Sequence, residues 1–267
     1  MIAENLNITI VQTDIIWEDE SANLAALDSQ LNHLPSQVDV VVLPEMFTTG
    51  FSMNATKIAT QWDDENLALK WMKKKAAQYK AAFTGSIAVR EGDHFFNRLI
   101  WVEPDGQYSF YDKRHTFSFA GEDQVYSHGN KKLIVTWKGW KICLLICYDL
   151  RFPVWSRNTI HEGHCDYDLL IYVANWPAVR SLPWRQLLVA RSIENLSYVA
   201  GCNRIGIDGN AHAYSGDSAV LNFLGEVLTP PNDNSASLLS ATCCYADLMA
   251  FRNKFPALKD GDSFRIL

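Results

Sequence analysis

Paired cysteines, long apolar runs and an excess of positive charge are all missing from this chain of 267 residues. Its six cysteines, at positions 143, 147, 165, 202, 243 and 244, include no Cys-x-x-Cys pair. That spacing argues against a structural zinc site, whose thiolate ligands usually arrive in such pairs. The longest apolar stretches, such as residues 142–147, fall far short of the about 20 residues a membrane-spanning helix needs. The opening Met1-Ile2-Ala3-Glu4-Asn5 has no basic region and no apolar stretch of signal-peptide length, so no secretory leader is expected. A cytoplasmic, reducing setting follows as an expectation, with the thiols unpaired and most of them serving as small core hydrophobes. Lys and Arg number 24 against 30 Asp and Glu, a net charge of −6. Neither a nucleic-acid partner nor a membrane is expected from that balance.

Composition is otherwise that of a folded chain, with 48% hydrophobic and 20% charged residues, far from the profile of disorder. Apolar, β-branched runs at 6–11, 38–43, 82–89, 99–102, 108–111, 133–137, 142–146, 169–173, 198–202, 218–223 and 238–246 predict strands. Leucines at 24, 27, 31 and 34 recur at helical spacing within 21–34, and 63–80 carries a similar pattern. Helices are also expected over 151–163 and 183–196, with Pro183 suiting a first turn. Strands and helices interleave without a linker, repeat or charge break, so residues 1–267 read as one α/β domain in packed layers. The runs at 38–43, 142–146 and 169–173 are expected to be its central strands.

Three short segments carry chemistry-bearing residues. In Val41-Val42-Leu43-Pro44-Glu45-Met46-Phe47, a carboxylate follows an apolar strand directly. Glu45 is either a solvated loop acid or a general base at a strand's C-terminal end, where open α/β sheets place their ligands. In Tyr111-Asp112-Lys113-Arg114-His115-Thr116-Phe117, Lys113 is either a solvated edge residue or a fixed positive charge for a developing oxyanion. In Ile142-Cys143-Leu144-Leu145-Ile146-Cys147-Tyr148-Asp149, an apolar run ends in Cys147 and a helix-like pattern begins. That layout is a strand–nucleophile–helix elbow. A helix N-terminus there would favour the thiolate, and the Tyr148 N–H would face the same oxyanion. Cys143, inside the run, reads as core.

Together, PEMF with Glu45, DKRHTF with Lys113 and ICYDLRFP with Cys147 resemble the nitrilase superfamily of carbon–nitrogen hydrolases, marked by a Glu–Lys–Cys triad in this order. VANWP at 173–177, RSIEN at 191–195 and GDS at 216–218 extend the likeness over nearly the whole chain. The resemblance implies a four-layer α-β-β-α sandwich, assembled as a homodimer through its outer helices. It also implies catalysis without metal or cofactor. Cys147 attacks an amide carbon, Glu45 moves the protons, and Lys113 with the Tyr148 N–H holds the oxyanion. A second glutamate that positions the lysine is best matched by Glu122.

CYDLRFP, ANWP and RSLPW look most like the omega-amidase branch. That branch hydrolyses the terminal amide of short dicarboxylic monoamides such as 2-oxoglutaramate and 2-oxosuccinamate. Such a substrate needs a cation for its far carboxylate; Arg180 is preferred over Arg151 and Arg114 because it lies just past the ANWP strand end. Trp176 and Phe117 are candidate pocket walls, and Phe51 a more distant one. A nitrilase, an N-carbamoyl amidohydrolase and an inactive binding protein of the same fold remain as alternatives. Redox sensing by the adjacent Cys243 and Cys244 is a weaker one.

Overall fold

The computed structural model describes residues 4–231 and 234–266. Residues 1–3, the start of the stretch read for a leader, lie outside them. The principal strands, in chain order, are β1 (Leu6–Gln12), β2 (Val40–Val42), β3 (Ala82–Glu91), β4 (His94–Val102), β5 (Tyr108–Asp112), β6 (Leu133–Trp137), β7 (Trp140–Ile146), β8 (Leu169–Ala174), β9 (Tyr198–Asn203), β10 (Ala219–Leu221) and β11 (Ser237–Cys243). Four longer helices accompany them: α1 (Glu20–Leu31), α2 (Leu67–Tyr79), α3 (Ser181–Asn195) and α4 (Tyr245–Lys254).

The strands form two sheets of similar plan. The first runs β11-β1-β2-β3-β4-β5 and the second β10-β9-β8-β7-β6. In each, three parallel strands (β1-β2-β3 and β7-β8-β9) are flanked by antiparallel neighbours. Parallel strands are ordinarily covered on both faces, and β2 and β8 are buried at every residue. The expected central strands are therefore interior to their sheets.

Alternation along each strand decides the layers. Ile8, Ile10, Val40, Val42, Leu99 and Trp101 join Ile142, Leu144, Ile171 and Ala200 in one core between the sheets. The opposite-facing Val11, Val41, Phe83, Ile100 and Val102 pack on Leu24, Leu27 and Leu31 of α1 and Leu69, Met72 and Ala76 of α2. Trp184 and Leu188 of α3 and Leu248 of α4 add to the core on the side of the second sheet. The result is the helix–sheet–sheet–helix layering expected.

Local chemistry sets the helix ends. Asp19 caps α1 by accepting from Ala22 N, and Asn66 caps α2 by accepting from Leu69 N. Lys80 and Leu196 close α2 and α3 in the left-handed conformation. Two expectations fail. The helix over 151–163 shrinks to Pro153–Ser156, after which Ile160–His161 and His164–Cys165 make a small hairpin. Asp166 there accepts from the Thr159 backbone N–H and stabilises the turn. The strand over 238–246 ends at Cys243, and Tyr245–Lys254 is helical instead. Arg252 anchors that helix by donating to the Leu196 and Tyr167 carbonyls and to Asp168. Among the described residues, no helix is long and apolar enough to cross a membrane.

Helix α3 approaches β9 at Gly201, where a Cβ would stand 2.6 Å from a Leu188 methyl and 3.0 Å from the Trp184 ring. Gly201→Ala is expected to destabilise the protein by about 1–3 kcal/mol through this overlap. Urea unfolding followed by circular dichroism would measure it, and a midpoint equal to wild type would contradict the close packing.

Candidate active site

Strand direction brings the expected residues to one edge. Glu45 follows β2, Lys113 follows β5, Cys147 follows β7 and Asn175 follows β8. Because β4 runs antiparallel to both β3 and β5, the C-terminal ends of β2 and β5 share an edge. Glu45 and Lys113 thus come from one sheet, and Cys147 and Asn175 from the other.

Lys113 stands at the centre, fully buried. Its Nζ donates to Glu45 Oε1 at 2.8 Å and to both oxygens of Glu122, at 3.1 and 2.8 Å. Asn97 Nδ2, from β4, joins the same two carboxylates at 2.8 and 3.2 Å. Its Oδ1 accepts from Ser86 Oγ, which fixes the amide with its donors toward the acids. Glu122 further accepts from Phe117 N. Burial alone would lower the Lys113 pKa, but the charges of Glu122 and Glu45 hold it well above the ordinary lysine value. The Glu122 carboxyl is raised by burial, against the pull of Lys113. Four donors face Glu122, a set that suits its ionised form.

Acceptor capacity separates the two acids. Glu122 has both oxygens doubly occupied. Glu45 Oε1 takes Lys113 and Asn97, while among the described residues Oε2 takes only Asn175 N, at 2.7 Å. Asn175 Nδ2 also donates to the Glu45 carbonyl at 2.6 Å. One lone pair therefore stays open on Glu45, whose charge acts on the Cys147 thiol; Sγ itself lies 3.9 Å from the Asn175 carbonyl oxygen.

Cys147 sits at φ 41°, in the left-handed region, directly after β7 and as the first residue of a five-residue 3₁₀ helix, Cys147–Arg151. The elbow expected from the sequence is present, on a 3₁₀ rather than an α turn. A non-glycine residue in that region is held against a cost of about 1–2 kcal/mol. The expected thiolate is not favoured. Burial, followed by the Glu45 charge, pushes the Cys147 thiol well above its ordinary value, and Lys113 only partly opposes this. One turn of helix is too weak a dipole to outweigh a carboxylate in a dry site. The Tyr148 N–H lies in the first turn of that helix, where amides lack helical partners.

A cavity of about 550 Å³ opens onto Cys147 and Lys113. Tyr148, Phe117, Trp176 and Phe51 line it, as do Arg151 and Arg180. The Arg151 guanidinium lies 4.9 Å from the Trp176 ring centre, and that of Arg180 lies 5.5 Å from Phe117. Among the described residues neither forms a salt bridge. Arg114 turns elsewhere, to the Gly129 carbonyl and the face of Trp155. Cys243 and Cys244 carry free thiols. Sequence reasoning missed Asn97, a polar residue in mid-strand. It also missed the far wall, residues 208 and 210–214, on the hairpin of Ile205–Ile207 and Ala213–Ser215. Asp208 shapes that loop by accepting from the N–H groups of Asn210 and His212 and from the Tyr214 hydroxyl. Its Gly and Asn content is a turn signal, but carries no indication of where the turn docks.

Comparison with known proteins gives a consistent result. The carbon-nitrogen hydrolase family model matches residues 7–253. The chain is 49% identical to omega-amidase YafV of Escherichia coli (strain K12), over 98% of each chain. It is 33% identical to the 2-oxoglutaramate amidase of Bacillus subtilis (strain 168), over 83% of this chain and 84% of that one. In fold it is similar to XC1258 from Xanthomonas campestris, a CN-hydrolase superfamily protein with an arsenic adduct in its active site. The TM-score is 0.95, at 43% identity and over 98% and 99% of the two chains.

A thiolate-absorbance titration, taken as wild type minus Cys147→Ser, is expected to show Cys147 ionising above the ordinary 9.0. Glu45→Gln should lower that value by removing the second-largest cause. Since the buried form is the protonated thiol, its contribution to stability is complete below pH 9 and is lost as pH rises through the folded pKa. Ionisation below 9 would mean that the helix terminus prevails over burial.

Proposed function

This chain belongs to the carbon–nitrogen hydrolase family, and on that premise we propose that Glu45, Lys113 and Cys147 form its catalytic triad, with Glu122 holding the lysine. The protein is an amidase that hydrolyses the terminal amide of dicarboxylic monoamides. Short 2-oxo acids, 2-oxoglutaramate and 2-oxosuccinamate, are its preferred substrates. One observation carries the assignment of roles. Of two buried carboxylates on the same ammonium, only Glu45 keeps an open acceptor position among the described residues, and after burial its charge acts most strongly on the Cys147 thiol.

The chemistry follows from that asymmetry. Glu45 takes the Cys147 proton as Sγ attacks the amide carbon, so a full thiolate never has to form in the dry site. The carbonyl oxygen becomes an oxyanion between the Lys113 ammonium and the Tyr148 N–H. Glu45 returns the proton to nitrogen, the carbon–nitrogen bond breaks, and ammonia leaves behind a thioester. A water then loses its proton to Glu45 and attacks the thioester carbon. The carbon–sulfur bond breaks as Glu45 hands that proton to Sγ, which restores the thiol, and the acid departs. Phe117, Trp176 and Phe51 keep bulk water from the thioester, while Arg180 receives the far carboxylate in a bidentate pair. The chain works as one catalytic unit in a cytoplasmic setting. On α3, Leu182, Val189 and Ile193 share a face, and Leu182 and Ile193 are exposed. A second copy would cover that face in a homodimer.

Mixing with 2-oxoglutaramate is expected to leave an acyl adduct on Cys147 by intact mass, and Cys147→Ala should abolish both adduct and ammonia release. Lys113→Ala should cost about 10²–10³ in rate through loss of an oxyanion donor. Nitrile and carbamoyl compounds assayed alongside would turn over faster than the monoamide if either alternative chemistry were correct. Arg180→Ala is expected to raise KM for 2-oxoglutaramate while leaving an uncharged amide unaffected. If KM were unchanged, and rose instead in Arg151→Ala, the carboxylate contact would move to Arg151.

A further inference from the structure

Two residues after the nucleophile, a buried carboxylate takes no part in the chemistry above. Asp149 is fully buried and lies off the cavity wall. Its Oδ2 accepts from Ile146 N at 3.0 Å and from the Tyr111 hydroxyl at 2.7 Å. Its Oδ1 accepts from His115 N at 3.1 Å and from His115 Nδ1 at 2.7 Å. The Tyr111 oxygen in turn accepts from Arg114 N and from Trp155 Nε1, each at 3.0 Å. The backbone amides directly after Lys113 and directly before Cys147 thus end on one carboxylate–phenol pair. The His115 ring stacks on Phe152 at 3.8 Å, which closes the cluster from the side.

We propose that Asp149 is a positioning residue: it sets the separation between the Lys113 ammonium and the Cys147 sulfur by tying the two chain segments that carry them. The argument is one of hydrogen-bond accounting. Four donors converge on Asp149, two of them backbone N–H groups that no rotation can turn into acceptors. An asparagine in its place brings an NH₂ group. If that group faces Tyr111, the Ile146 N–H meets a donor; if it faces His115, the His115 N–H does. Either way one segment loses its tie, on the nucleophile's side or on the lysine's. The left-handed Cys147 is the residue that most needs this tie, because a strained backbone persists only where its surroundings over-determine it. A displacement of about 1 Å between reacting groups is enough to cost on the order of 10² in rate.

The test uses the full-length enzyme with three variants and two readouts. Asp149→Asn is expected to lower kcat for the monoamide about 10- to 100-fold, with KM within about twofold, and to slow alkylation of Cys147 by iodoacetamide. Tyr111→Phe, which strands Arg114 N and Trp155 Nε1 but leaves both backbone ties on Asp149, should produce a smaller loss of the same kind and decides the matter if Asp149→Asn does not fold. Asp168→Asn, at the remote pair with Arg252, controls for stability: it should lower the unfolding midpoint and leave kcat and alkylation unchanged. Wild-type kcat and alkylation in folded Asp149→Asn, or in Tyr111→Phe, would overturn the proposal. So would equal losses in Asp168→Asn. The alkylation readout needs no amide, so it still judges Asp149 if the substrate assignment fails.

Discussion

An ammonium sealed between two carboxylates is the interaction on which this molecule depends. Lys113, Glu45 and Glu122 are all without solvent exposure, and removing such charges from water is costly unless each lone pair and proton finds a partner. The partners are Asn97, Phe117 N and Asn175 N, drawn from distant parts of the chain. Removing any one charge would leave the others uncompensated in a low-dielectric interior, which is a heavier loss than that of a surface ion pair. The cluster is therefore a constraint on the fold as well as a source of reactivity.

The same accounting explains why a neutral thiol is compatible with nucleophilic chemistry. In an open, electropositive site a cysteine is activated by lowering its pKa. Here burial and a carboxylate act in the opposite direction, and the base must move the proton during attack. Glu122 saturates the far side of the lysine, so the ammonium is not free to quench Glu45 completely. Two acids of the same type acquire different tasks from the number of donors that reach them.

Much of this was legible in the sequence, because the residues that matter follow strands. Apolar runs ending in Glu45, Asp112–Lys113 and Cys147 were visible as such, and family resemblance connected them. The misread parts share a cause. Residues 151–163 and 244–254 are short and weakly periodic, and their state is decided by contacts far away, such as Arg252 on Asp168 and the Leu196 carbonyl. The role of Asn97 was invisible for a different reason: a polar residue inside a strand acquires meaning only once the facing strand and loop are known. The thiolate expectation erred by weighing a helix terminus without the depth of burial.

Because Glu45 and Lys113 belong to one sheet while Cys147 and Asn175 belong to the other, the reacting groups straddle the seam between two slabs held together by hydrophobic packing. A slip of one slab over the other by a fraction of an ångström would leave every strand ladder intact and still uncouple base from nucleophile. Catalytic competence thus gauges interlayer registry more sensitively than helix or strand content does, and warming should silence the enzyme before its secondary structure melts.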